Sequence, residues 1–252
     1  RLTDNDFIEA QPSWSPDGKF LAFTTWKEGG GHLYKVNVDG RPKPLQLTQE
    51  TGLYTYPQWS YKSKRIAFHR GTVQNFQDLL GLQSAAMFED LVWISQDGGK
   101  TNFIDKAKGR SVPHFTKTDD RVYLTNSEKG ELLSIRWDGT DEKQHLKLKG
   151  IVTYGSQDLL DDHSLLPTES EADDEDKSSK PSVILIAPNG TSALAKINND
   201  VYVATIPRFG KTPVVSVAKA DKAAFPAMKL TVIGGEFPSW SSDSKKAHWS
   251  LG

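Results

Sequence analysis

Apolar and polar positions alternate along this chain in short bursts. Runs of about four to six residues rich in Val, Ile, Leu, Phe, Tyr and Trp, such as Phe20-Leu21-Ala22-Phe23, Leu33-Tyr34-Lys35-Val36 and Val201-Tyr202-Val203-Ala204, are cut by Pro, Gly, Asn and Asp. That is the period of strands separated by turns. The runs after the turns are nearly continuous in apolar character, as expected of strands covered on both faces. Patterning at the helical period is scarce, so the expected class is all-β.

The bursts belong to a phrase that recurs in variants: Pro, any residue, an aromatic, Ser, then a basic residue before a small-apolar run. Its clearest copy is Pro12-Ser13-Trp14-Ser15-Pro16-Asp17-Gly18-Lys19-Phe20-Leu21-Ala22-Phe23. Pro57-Gln58-Trp59-Ser60, Pro113-His114-Phe115-Thr116 and Pro238-Ser239-Trp240-Ser241 repeat it, and Ile186-Ala187-Pro188-Asn189-Gly190 is an eroded copy, so the anchors fall at 14, 59, 115, 186 and 240. A second phrase follows each of the first four anchors: Leu33-Tyr34-Lys35-Val36, Leu91-Val92-Trp93-Ile94, Leu132-Leu133-Ser134-Ile135 and Val201-Tyr202-Val203-Ala204. Pro-Asp-Gly supplies a fixed first corner, an Asx side chain and a residue free to take positive φ, the chemistry of a hairpin turn. Repeats of about 45 residues, each holding four short strands, predict the four-stranded blades of a β-propeller of about five to six blades, incomplete or with its ends sharing a blade. The whole of 1–252 is expected to be one such domain or part of one. The chain opens on Arg1-Leu2-Thr3, which repeats the closing Leu47-Thr48, and stops within the fifth repeat, so a longer parent polypeptide is expected.

Composition narrows the function classes. With 31 basic and 32 acidic residues, a net charge of −1 and a pI near 6.7, the chain lacks the basic footprint of a nucleic-acid or anionic-membrane binder. It has no cysteine, which removes disulfides, thiolate metal sites and cysteine nucleophiles. No apolar run reaches the length of a membrane span.

Two insertions interrupt the repeats. The first, about 70–90, contains Phe76-Gln77-Asp78-Leu79-Leu80 and suits a short helix or an ordered loop on the rim. The second, about 154–181, runs into Glu169-Ser170-Glu171-Ala172-Asp173-Asp174-Glu175-Asp176, too polar and like-charged for a core. It lacks the Gly and closing Glu of a calcium loop.

Catalytic constellations are sparse. His32, His69, His114, His145, His163 and His248 stand singly, with neither His-x-His nor His-Glu-x-x-His spacing, and read as strand or surface residues. Asp161-Asp162-His163 is the one local acidic–histidine group, and it lies in the second insertion. There is no Gly-x-Ser-x-Gly elbow. Gly98-Gly99-Lys100-Thr101 ends like a phosphate-binding loop but lacks its first glycine and reads as a turn, as does the sequon Asn189-Gly190-Thr191. The regularly placed Trp-Ser anchors read as packing between blades. No catalytic, cofactor-binding or metal-ligating residue is assigned.

The first repeat, Pro12-Ser13-Trp14-Ser15-Pro16-Asp17-Gly18-Lys19 with Leu21-Ala22-Phe23, resembles the WD40-like (PD40) repeat of TolB-type propellers, a repeat shared by propellers of tricorn and prolyl-oligopeptidase-like peptidases. Longer phrases resemble the propeller portion of bacterial amidohydrolase-family proteins. These are Asp120-Arg121-Val122-Tyr123-Leu124, Ser134-Ile135-Arg136-Trp137-Asp138-Gly139-Thr140-Asp141, Asn199-Asp200-Val201-Tyr202-Val203-Ala204-Thr205-Ile206-Pro207 and Gly234-Gly235-Glu236-Phe237-Pro238-Ser239-Trp240-Ser241. The resemblance implies a parent hydrolase whose zinc-type divalent metal centre lies outside these residues, a periplasmic or secreted location, and a propeller that shapes substrate access, binds a partner or mediates assembly. The other readings are a stand-alone TolB-like propeller binding a protein of the bacterial envelope, and the gating propeller of a serine peptidase.

Overall fold

The computed structural model describes residues 3, 8–39, 43–74, 90–150, 178–207, 210–217 and 225–251. Each copy of the phrase opens a separate antiparallel sheet. Blade 1 is β1 (Ile8–Trp14), β2 (Phe20–Trp26), β3 (Leu33–Asn37) and β4 (Leu45–Gln46), side by side in that order. Blade 2 repeats the order with β5 (Leu53–Trp59), β6 (Arg65–Gly71), β7 (Asp90–Ser95) and β8 (Asn102–Lys106). Blade 3 contains β9 (Arg110–His114), β10 (Arg121–Asn126), β11 (Glu131–Arg136) and β12 (Lys143–Lys149). Blade 4 has β13 (Pro181–Ile186), β14 (Ser192–Ile197) and β15 (Asp200–Thr205). The chain then leaves it, and β16 (Val214–Ser216) pairs parallel to β12 as a fifth strand on blade 3 before β17 (Ala227–Lys229) returns to finish blade 4. β18 (Glu236–Trp240) and β19 (Ala247–Ser250) form a two-stranded fifth sheet, separate from blade 1 among the described residues. Among the described residues the expected four-strand blade is thus realised four times.

The repeated phrase has a mechanical reason at each position. Ser15 Oγ donates to Asp17 Oδ1 (2.6 Å) and accepts the Phe20 N–H (2.9 Å); Ser241 repeats both bonds with Asp243 and Lys246 at the same lengths. The residue before the motif proline has positive φ in every copy that keeps the proline: Gln11 (52°), Tyr56 (52°), Val112 (53°) and Phe237 (51°). Proline disfavours the right-handed helical region for its predecessor. The register shifts beside each of these residues, so the phrase encodes a bulge as well as a turn. The eroded fourth copy, which has no proline there, has no such residue.

Packing runs from blade to blade. The first strand of each blade lies on the first and second strands of the one before: β5 on β1 and β2, β9 on β5 and β6, and β18 on β14, while β13 contacts β9, β10 and β11. Trp59, Ile66, Phe68, Val92 and Ile94 of blade 2 bury against Ala22, Leu33 and Leu47 of blade 1. Phe115, Val122, Leu124 and Ile135 of blade 3 bury against Ala67, Leu91 and Ile104 of blade 2. The anchors Trp59, Phe115 and Ile186 are core, as the sequence implied. Trp14 is the correction: it is 58% exposed, with no further sheet among the described residues packed over it as blade 1 packs over Trp59.

Gly31 lets blade 1 close over its own second strand. A Cβ there would sit 1.5 Å from the Thr25 carbonyl oxygen, which is backbone and cannot yield. Gly31→Ala is expected to cost on the order of 3 kcal/mol by forcing the strand apart, read as a fall in the urea midpoint. A wild-type midpoint would refute the close approach.

Candidate functional site

In every blade the first strand starts, and the second ends, at the same end of the sheet. The β6–β7 and β12–β13 connections, which carry both insertions, therefore leave from one face, together with the β17–β18 connection. Residues 75–89 and 151–177, including Asp161, Asp162, His163 and the acidic run, lie outside the described residues. The second connection returns to its origin: the Gly150 N–H donates to the Ser179 carbonyl at 2.8 Å.

The polar groups near this face are tied to one another. Asp90, at the start of β7, accepts Arg70 Nη2 (2.7 Å) and Lys106 Nζ (2.8 Å). Burial works to raise its pKa, but those two bonds outweigh it and hold the carboxyl below its ordinary value. Arg110, almost wholly buried, donates to Asp105 Oδ2 (2.6 Å), to the carbonyls of Lys106 and Ala107, and to Glu142. His69 is fully buried beside Tyr56, its ring edge-on to the phenol at 6.5 Å. Burial and the positive field of Arg110 push its pKa down to about 3, so it is neutral.

One grouping imitates a nucleophile and its base. Ser134 Oγ lies 2.6 Å from His145 Nε2. Arg121 Nε donates to the same hydroxyl at 2.7 Å, so the hydroxyl passes its own proton toward His145, which accepts as the neutral ring. Ser134 is completely buried, out of reach of any substrate, and Arg121 is in turn paired with Asp141 at 2.8 Å. The arrangement locks β10, β11 and β12 together. His114 does the same between blades: Nδ1 donates to the Val112 carbonyl (2.8 Å), and Nε2 accepts the Ile186 N–H (2.9 Å).

The other sequence candidates fall into turns. Gly98 and Gly99 have φ of 84° and 115°, and the Gly99 N–H reaches the Leu47 carbonyl of blade 1. Asn189 Oδ1 accepts the Thr191 N–H (3.1 Å) over Gly190, at φ 77°. Among the described residues no three His, Asp or Glu side chains come together as metal ligands, so these residues do not fit the zinc-type centre expected of a hydrolase parent. Among them, too, no helix is long and apolar enough to cross a membrane.

Solvent on this face meets apolar side chains that composition did not flag. The segment between β17 and β18 is pinned by Leu230 N–H to the Val201 carbonyl (2.8 Å), Thr231 Oγ1 to Asp200 (2.8 Å) and Gly235 N–H to the Asn199 carbonyl (2.8 Å). Yet Val232 is 92% exposed and Ile233 81%. The equivalent connection from blade 1 carries Gln49 and Glu50 after its own Leu47-Thr48. Comparing the two Leu-Thr phrases is the signal that finds this tip in the sequence.

No family model matches the sequence, and no curated protein matches it. The fold is well represented. TolB from Acinetobacter baumannii superposes with a TM-score of 0.56 at 11% identity, over 98% of this chain and 49% of that one. The Cps50 (Swd1) β-propeller domain of Myceliophteria thermophila gives 0.51 at 10% identity, over 99% and 67%. A chain of a nidogen/laminin complex gives 0.50 at 8%, over 85% and 70%. The fold is that of a β-propeller. Its blades are of the TolB-like kind, and the chain spans about half the length of the TolB chain it resembles.

Proposed function

We propose that this chain is a non-catalytic, protein-binding propeller module of a larger bacterial amidohydrolase-type protein, acting in the periplasm or outside the cell. One observation carries the binding role: Val232 and Ile233 project into solvent from a segment fixed by backbone and side-chain bonds. Apolar side chains held rigidly in water suit a protein contact. Asp90, Arg110, Arg121 and His145 each have partners within the array, Asp90 in Arg70 and Lys106, Arg110 in Asp105, Arg121 in Asp141 and His145 in Ser134, and in this reading the chemistry belongs to another domain. The hydrolase parent rests on the longer phrases around Trp137 and Trp240. A stand-alone binding propeller is the second reading, favoured by the superposition of nearly the whole chain on TolB.

The test is hydrolysis of a panel of amides and esters, with and without added Zn²⁺, by this chain and by the full-length gene product. Activity is expected in the longer protein alone. Metal-dependent turnover by this chain would overturn the proposal and direct attention to Asp161, Asp162 and His163. In the longer protein, Val232→Asp with Ile233→Asp is expected to weaken binding of the companion domain or substrate while leaving the melting temperature unchanged.

A further inference from the structure

Arginines in this array end on carboxylates. Of the five among the described residues, Arg70 meets Asp90 (2.7 Å), Arg110 meets Asp105 (2.6 Å), Arg121 meets Asp141 (2.8 Å) and Arg136 meets the same Asp141 (3.3 Å). Arg65, at the start of β6, meets none there. Its guanidinium carbon instead lies 4.2 Å from the centroid of the Trp93 ring and 5.2 Å from that of Trp137, both inside the roughly 6 Å reach of a cation–π contact. The ring faces offset the charge, but they leave the in-plane fork of N–H donors for an oxygen acceptor.

The setting is fixed from both sides. The Trp137 indole N–H donates to the Asp119 carbonyl at 3.0 Å, and its ring stacks on the buried Phe115 at 5.2 Å and 15°. Trp93 meets Trp137 edge-on at 6.3 Å, so blade 2 supplies one wall and blade 3 the other. Arg65 is tied into the β5–β6 turn, where the Ser60 N–H donates to its carbonyl at 2.9 Å. Arg65, Trp93 and Trp137 are each only half-buried, so solvent reaches the slot. The acidic residues of the adjoining turns are committed elsewhere. Asp138, next to Trp137, accepts the Thr140 N–H (3.0 Å) and hydroxyl (2.6 Å); Asp97 pairs with Lys35 (3.1 Å); Asp119 takes the N–H groups of Tyr61, Lys62 and Ser63.

We propose that the slot between Trp93 and Trp137 is a carboxylate-binding site, in which Arg65 supplies a bidentate pair of N–H donors and the indoles shield the ion pair from water. A single fork between aromatic walls suits a planar monoanion, the group that each of the other described arginines takes. A phosphate dianion asks for more donors than one side chain gives. The ligand is a carboxylate, borne by a free small acid or by an acidic side chain of a peptide. The site opens on the face opposite the two insertions, since β6 begins there and β11 ends there, and so stands apart from Val232 and Ile233.

NMR of the arginine Nε–H groups tests it, the Arg65 peak being assigned by its absence from Arg65→Lys. Each probe is raised to about 100 mM at constant ionic strength, so that screening does not change. Acetate and the capped tripeptide acetyl-Gly-Glu-Gly-amide are expected to shift the Arg65 peak saturably, whereas chloride and acetyl-Gly-Gln-Gly-amide leave it in place. Tighter binding of the Glu tripeptide than of acetate assigns the site to a peptide, and binding no tighter assigns it to a free acid; both support a carboxylate site. Arg65→Lys, which keeps the charge and loses the fork, is expected to weaken acetate binding roughly tenfold, read on the Trp137 indole N–H peak. Arg136→Lys is expected to leave it unchanged, and unchanged melting confirms that both variants fold. An Arg65 peak indifferent to acetate and the Glu tripeptide, a shift that never saturates, an equal response to the Gln tripeptide, undiminished binding in Arg65→Lys, or tighter binding of inorganic phosphate than of acetate would each overturn the proposal.

Discussion

Asp119→Ala is expected to cost on the order of 4 kcal/mol, the largest effect of any single side chain between blades 2 and 3. The Asp119 carboxylate accepts the N–H groups of Tyr61 (2.8 Å), Lys62 (3.1 Å) and Ser63 (2.9 Å), three successive donors of the blade 2 turn. Alanine leaves those donors without their acceptor. It also places a residue with no compensating side chain at φ 64°, a conformation that Asp and Asn tolerate best. Asp119→Asn retains that backbone tolerance and one acceptor oxygen, so its cost should be about half. Urea unfolding of the two variants checks this; equal costs would mean that the retained acceptor oxygen and the backbone tolerance of Asn contribute nothing.

Stability is expected to fall steeply as pH drops from about 6.5 towards 4. Burial, chiefly, holds His114 and His145 at about 4 and His69 at about 3. Around His145 the fields of Arg121 and Lys143 add to burial; at His114 the bond to the Val112 carbonyl partly opposes it. In the unfolded chain these rings titrate near 6.5. Between the two values the unfolded chain binds more protons, so acid favours unfolding, at about 1.4 kcal/mol per pH unit for each ring. Stability from this source is complete above 6.5 and is lost on descent to the folded values. The lowered carboxylates, Asp90 and Asp105 among them, act in a separate window that opens only as pH falls towards 3.8 and below. Denaturant midpoints at pH 7.5, 6 and 5 should decline together with apparent stability, and His114→Gln should flatten the slope while lowering the midpoint at pH 7.5. A midpoint constant down to pH 5 would contradict the buried neutral rings.

The repeating sheets were legible because their causes are local. Ser and Asp at fixed offsets after the motif proline make the same turn bonds in β1–β2 and β18–β19, and alternation marks the strands between. What the sequence concealed depends on partners far along the chain. Trp14 and Trp59 read identically, and only the presence of a preceding sheet makes one core and the other surface. Val214-Val215-Ser216 reads as an unremarkable short apolar run, because its partner, Lys147-Leu148-Lys149, belongs to a different repeat. The histidines read as strand or surface residues, and five of them lie in or beside strands; that Ser134 and His145 meet was hidden by the register between β11 and β12. The exposed Val232-Ile233 pair could have been found by setting Leu230-Thr231 against Leu47-Thr48, where polar residues follow.

The crossing of β16 onto blade 3 has a consequence for synthesis. Blades 1 and 2 can close as soon as their own strands leave the ribosome. Blade 3 gains its fifth strand later: the outer edge of β12 stays unpaired until Val214–Ser216 has been made, several seconds on at elongation rates of about 5–20 residues per second. Through that interval the nascent chain carries a bare strand edge, the kind of surface that recruits other strands. Closure then couples the third and fourth sheets into one cooperative unit, so amide exchange should protect them together while blade 1 opens on its own.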